Sequence, residues 1–174
     1  LDTTQEPIKS NRQLAQEVPK FEIKRKQFNE AEKGFWLKFG IDEQTLKRFN
    51  VSSLEEFSTT SKIGNPYTTK SSFDKFIFAY ESDNWVKLYK PLDEKKYKFQ
   101  YLGTKAQGFI FGWKQLPVSG ELLIITGGEK DVMTLAAKGF NAITLNSETA
   151  ILPKNIVDEL KLRFKTILVL YDND

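Results

Sequence analysis

Three short apolar runs, at 122–125, 142–145 and 167–170, are separated by two segments of helical spacing and joined by links of only a few residues. Parallel strands need a crossover of roughly a dozen residues or more, usually a helix. The alternation therefore commits the chain from about 119 onward to a parallel sheet. The first strand is expected over 121–126. A helix over about 129–138 places Val132, Leu135 and Ala136 on one face and ends at Gly139. A second helix begins near Pro153, which suits a first helical position, and Ile156, Val157, Leu160 and Phe164 form its apolar stripe. The third strand is expected over 166–171.

Ligands of such sheets sit beyond the carboxyl ends of the strands. Here those ends are acidic. The first strand runs into Thr126-Gly127-Gly128-Glu129-Lys130-Asp131, and the last into Tyr171-Asp172-Asn173-Asp174. Asp172 and Asp174 share a face if the backbone is extended. Held ~4 Å apart, two carboxylates repel by ~4 kcal/mol at an effective dielectric of ~20, which a divalent cation would relieve. Read alone, Asp-Asn-Asp is a turn after a strand, and Glu129 with Asp131 is the acidic start of a helix. Taken together, the two motifs point to one metal site. The chain has no Cys and no His, so thiolate zinc sites and His-based triads are excluded. A metal must be held by oxygens, which suits magnesium or manganese.

Upstream the pattern differs. Residues 1–20 are polar, with Pro7 and Pro19, and read as a linker or arm. Residues 24–50 read as helical, with Phe28, Ala31, Phe35, Trp36 and Phe39 as core positions and Gly40 as a stop. Asp42 is placed to cap a second short helix, and Ser52 with Glu55 to form a capping box. Residues 58–75 read as a loop. Runs at 76–80, 85–89 and 98–102 then suggest an antiparallel meander. Across 84–105, Lys87, Lys90, Lys95, Lys96, Lys98 and Lys105 outnumber the acids and alternate with Trp85, Tyr89, Tyr97, Phe99 and Tyr101. Lysines can hold phosphates and aromatic rings can stack bases; the same alternation is also what a half-buried strand produces. Net charge is only +3, which permits nucleic-acid binding without arguing for it.

The acidic strand ends resemble the Toprim domain of bacterial-type DNA primases, topoisomerases, certain nucleases and recombination mediators. That family's pattern is a strand ending in Glu-Gly-x-x-Asp and a later one ending in Asp-x-Asp. Gly128, Asp131, Asp172 and Asp174 match, whereas Gly127 stands at the family's Glu position. Glu129 falls where phage primase–helicases also carry Glu. The resemblance covers about 120–174, the first half of such a domain. The helical start at 28–57 is similar to that of the primase catalytic core, and the segment from Val86 to Leu116 resembles the basic subdomain that precedes Toprim in phage primase–helicases.

The resemblance implies an α/β fold: a helical and antiparallel-strand basic subdomain (21–118) followed by an incomplete parallel-sheet Toprim-like unit (119–174). It implies a piece of a DNA primase or primase–helicase, inactive alone, that makes RNA primers by metal-dependent nucleotidyl transfer. Glu129, Asp172 and Asp174 would be catalytic and metal-binding, with Asp131 and Glu148 as further candidates. Lys87, Lys90, Lys95, Lys96, Lys98, Trp85 and Tyr89 would bind nucleic acid or nucleotide. Its partners would be single-stranded DNA, nucleoside triphosphates and a replicative helicase in cis or trans. Gly127 keeps open a binding module of a helicase that has lost catalysis; a Toprim nuclease or topoisomerase is the third alternative. Missing cysteines fit the cytoplasm, and no apolar run approaches the ~18 residues of a membrane span.

Overall fold

The structure, a computed structural model, describes residues 20–145 and 150–171. The arm expected over 1–20 lies, but for Lys20, outside the described residues. So do Glu148, Asp172 and Asp174. Among the described residues, strands β1 (Glu22–Lys26), β2 (Val51–Thr60), β3 (Pro66–Lys70), β4 (Phe78–Glu81), β5 (Trp85–Tyr89) and β6 (Phe99–Gly103) form one antiparallel sheet. Its order is β1-β2-β4-β5-β6, with β3 also paired to β2. Helices α1 (Glu30–Leu37) and α2 (Glu43–Arg48) lie between β1 and β2 in the chain. Strands β7 (Gly120–Thr126), β8 (Asn141–Thr144) and β9 (Phe164–Leu170) form the second sheet, all parallel, in the order β8-β7-β9. Their crossovers are α3 (Glu129–Ala137) and α4 (Lys154–Arg163).

The antiparallel sheet curls. Gln100 of β6 donates to the Tyr67 hydroxyl of β3 at 2.7 Å. A Cβ on Gly103 would stand 2.8 Å from the Phe21 ring and 2.5 Å from the Asn84 carbonyl; Gly103 also has φ +76°. Only glycine allows that approach in that conformation. The inner face of the curl is Leu54, Phe57, Ile77, Ala79, Val86, Leu88 and Leu102. The opposite face supplies Val51, Phe78, Tyr80 and Tyr89 to a core that also takes Trp36 and Leu46 from the first helices, Val132 and Met133 from α3, and Ile124 from β7. That core spans both sheets, so hydrophobic burial, the dominant favourable contribution to folding, joins the two expected subdomains. Ile124 faces α3; its neighbours Leu123 and Ile125 face α4 through Leu160, the period-two alternation of a strand covered on both faces. Phe111 exchanges backbone bonds with Thr144, both at 3.0 Å, tying the segment after β6 to β8.

Several sequence expectations are corrected. The expected helical run 24–50 opens with a strand, since residues 22–26 pair antiparallel with β2. The box at its first helix is Asn29 with Glu32; Ser52 and Glu55 instead lie in β2, whose apolar positions Val51, Leu54 and Phe57 are buried by the sheet. Asp42 does cap α2, accepting from the Thr45 amide at 2.8 Å. The expected loop 58–75 contains the end of β2 and all of β3, because its β-branched threonines pair across the hairpin. Pro153 precedes α4 rather than opening it, and Phe164 begins β9 rather than ending the helical stripe.

A partly buried ion pair holds the first sheet's edge to its centre. Arg25 of β1 donates to both oxygens of Glu81 at 2.9 and 2.6 Å, and Ser52 donates to the same carboxylate. Burial pushes the Glu81 carboxyl up, but those hydrogen bonds and the guanidinium charge outweigh it and hold it below its ordinary 4.5. A depressed folded-state value means stability that is present above pH 4.5 and lost as pH falls through the folded value. Urea midpoints between pH 6 and pH 3 should therefore fall less in Glu81→Gln than in the unmodified chain.

Candidate active site and nucleic-acid interface

β7 delivers the chain to Gly127 and Gly128, and α3 starts at Glu129 from an extended Gly128. Residues two apart on a helix point ~200° apart around its axis. Glu129 and Asp131 accordingly face different surroundings. Asp131 lines a cleft of about 500 Å³ at the carboxyl ends of β7 and β9, with Thr126, Gly127, Gly128, Leu170 and Tyr171. This is the strand-end position expected of the metal site, and Tyr171 immediately precedes Asp172. Glu129 turns instead toward the antiparallel sheet and accepts from Lys87 of β5 at 2.5 Å. Both side chains are mostly buried, 14% exposed for Lys87 and 20% for Glu129. Among the described residues, no three acidic side chains gather into a metal-binding group.

The two expected sites thus share a residue pair. Lys87 was expected among the phosphate-binding lysines and Glu129 among the metal ligands, yet each is the other's counter-ion. The field of Glu129 extends further. Burial lowers the Lys105 ammonium, with Glu129 pulling it back. Burial raises the Tyr101 phenol, Lys87 opposing and Glu129 reinforcing. Tyr80 beneath them is driven well above its ordinary value by burial, then by Glu129, Tyr89 and Asp131. A second hollow of about 380 Å³ opens beside this cluster, with Tyr80, Lys87 and Glu129 along one side and Phe109 and Phe111 along another.

The expected basic segment divides. Trp85 and Tyr89 are buried: Trp85 packs edge-on against Phe109 and Tyr89 lies among Trp36, Phe78 and Tyr80. Neither presents a face to a base. Lys90 is also buried, its ammonium 3.6 Å from Asp93. Lys95 and Lys96 are exposed on a 3₁₀ turn, Lys95–Tyr97, and Lys98 follows it half-buried. The rings that remain in solvent are Tyr97, Phe99 and Tyr101. Period two alone would have separated them from Val86, Leu88 and Leu102, but not from Trp85 and Tyr89, which share their face; only the position of β6 at the sheet edge does that.

Solved structures that resemble this chain include primases. The catalytic domain of the DnaG primase bound to single-stranded DNA matches with a TM-score of 0.58 over 83% of this chain, at 15% identity. The chain has the fold of a primase catalytic core. The Escherichia coli primase catalytic core gives 0.55 over the same share at 15% identity. The bacteriophage T7 structure in which gp4 primase domains are bound to an RNA/DNA hybrid and dTTP gives 0.51 over 85% of this chain, also at 15%. The chain spans 56% of the first two matched chains and 64% of the third. No protein-family model matches the sequence, and no curated protein matches it. Among the described residues, no helix is long and apolar enough to cross a membrane.

Proposed function

We propose that this chain is part of a DNA primase or primase–helicase, which copies single-stranded DNA into RNA primers by metal-dependent nucleotidyl transfer. The observation that carries the reading is the primase-core fold with an acid, Asp131, in the cleft beyond β7 and β9. Asp172 and Asp174 follow directly after Tyr171 of that cleft. Carboxylates are the hard oxygen donors that magnesium and manganese take, and Asp131 with the two later acids is the donor set this proposal assigns. Bound there, the cation would supply Lewis acidity to the nucleotide phosphates. Glu129 is assigned a different role: it holds Lys87 and tempers the positive charge of the sheet that receives the template.

A second reading, a nucleic-acid-binding module without synthesis, is favoured by Gly127 at the family's Glu position and by the engagement of Glu129 with Lys87. Incorporation of ribonucleotides on a single-stranded template by the full-length protein, with magnesium or manganese, separates the two. Synthesis supports the first reading; tight template binding with no synthesis supports the second. The role given to Glu129 has its own check. Glu129→Gln releases Lys87 to a phosphate, so the log–log salt slope for single-stranded DNA should steepen by about 0.7. An unchanged slope would contradict it.

A further inference from the structure

Phe99 and Tyr101 stand on β6 at the outer edge of the antiparallel sheet and Tyr97 on the 3₁₀ turn just before it, and each carries an ammonium on its ring. Lys96 lies 4.6 Å from the centroid of Tyr97, Lys87 4.5 Å from Phe99 and Lys105 4.5 Å from Tyr101. The rings are 55%, 48% and 41% exposed, and all three line one groove of about 550 Å³ that also holds Lys62 and Tyr67. On the adjacent strand β5 the aromatic residues of the same face, Trp85 and Tyr89, are buried. Tyr89 backs Phe99 in a near-parallel stack at 5.1 Å, so Phe99 is held rigid while half its surface stays in solvent. Three large rings in a row, half exposed on a firm support, form an apolar patch of the kind that marks an interaction site.

We propose that this ladder seats unpaired bases of a single-stranded nucleic acid, one per ring, with Lys96 and Lys105 taking phosphates beside it. The assignment rests on the nucleic-acid reading above and names the surface that does the gripping. The spacing favours single strands. Residues two apart in a strand are ~6.6 Å apart, about twice the ~3.4 Å rise of a stacked strand, so Phe99 and Tyr101, both in β6, fit bases already drawn out of their stack. The ammoniums at the two ends of the row are complementary to a phosphate backbone, while the central one, Lys87, stays paired with Glu129. Ring stacking is tolerant of sequence, so the ladder grips without reading bases.

The test compares the unmodified chain with the triple variant Tyr97→Leu, Phe99→Leu, Tyr101→Leu, which keeps the lysines and the apolar character. Circular dichroism checks that the variant folds, and Phe99→Tyr with Tyr101→Phe serves as a ring-retaining control. Binding to 20-nucleotide oligo-dT, oligo-rU and an abasic 20-mer is followed by fluorescence anisotropy from 20 to 200 mM salt. A stacked base is worth ~5- to 100-fold per ring. The variant should therefore bind whichever of oligo-dT and oligo-rU the chain prefers at least tenfold more weakly. Its salt slope should be unchanged, it should show no deficit on the abasic strand, and the control should bind normally. Equal affinity of variant and unmodified chain for the base-bearing strands would overturn the ladder while leaving the nucleic-acid reading intact. So would an equal deficit on abasic and base-bearing strands. No binding of any strand by the unmodified chain at 20 mM salt would overturn that reading and the ladder with it.

Discussion

Trp36→Ala is expected to lower the unfolding free energy by ~3–5 kcal/mol, enough to unfold much of a domain whose total stability is ~5–15 kcal/mol. The indole is completely buried and touches Phe35, Phe78 and Tyr89, so it joins α1 to the face of the sheet that meets α3. Its loss opens a cavity where the two sheets share their core, and both halves should lose structure together. Trp36→Phe should cost far less, below ~2 kcal/mol. It keeps an aromatic ring and gives up an indole N–H that has no hydrogen-bond partner among the described residues. Equilibrium urea unfolding, followed by far-ultraviolet dichroism, measures both. A Trp36→Ala chain as stable as the unmodified one would mean that the shared core does not hold the fold.

The second half of the fold was readable because each of its elements has one dominant period. The runs at 122–125 and 142–145 are buried on both faces, and Val132 and Ala136 mark one face of α3. The first half was harder. Residues 22–26 carry charges at four of five positions and become a strand only because β2 pairs with them. The threonines of 66–70 looked like a loop for the same reason: their partner is ten or more residues away. Ser52 and Glu55 have the spacing of a helix cap, yet Leu54 and Phe57 between and beyond them go into the inner face of the curl. Local signals gave way to long-range pairing at each of these places.

For the site, the strand-end cleft and its glycine pair were legible, whereas the partner of Glu129 was not. Nothing in the spacing links position 87 to position 129; their ion pair arises only when α3 packs against the sheet face of β5. The ~200° between Glu129 and Asp131 around the helix was available from sequence, and it separates their roles once the helix is granted. Trp85 and Tyr89 have the alternation of a base-stacking edge, but they are buried against Phe109, Trp36 and Phe78, and β6 beside them takes the sheet edge with Phe99 and Tyr101.

The acids assigned to the metal carry the other large expected effect. In the full-length protein, Asp131→Asn and Asp172→Asn each keep side-chain shape but remove the charge that would face a divalent cation. Loss of a ligand should exceed the ~10- to 100-fold that outer-shell partners cost. Asp172→Asn is the sharper of the two, because Asp131 also opens a helix and its loss weakens α3 through the helix dipole. Glu129→Gln, by contrast, should leave synthesis within a few-fold of normal. The decisive measurement is primer synthesis by full-length Asp172→Asn on single-stranded DNA with magnesium, beside template affinity under the same conditions. The account predicts that synthesis is lost by more than ~100-fold with template affinity unchanged. Full synthesis by Asp172→Asn would contradict it.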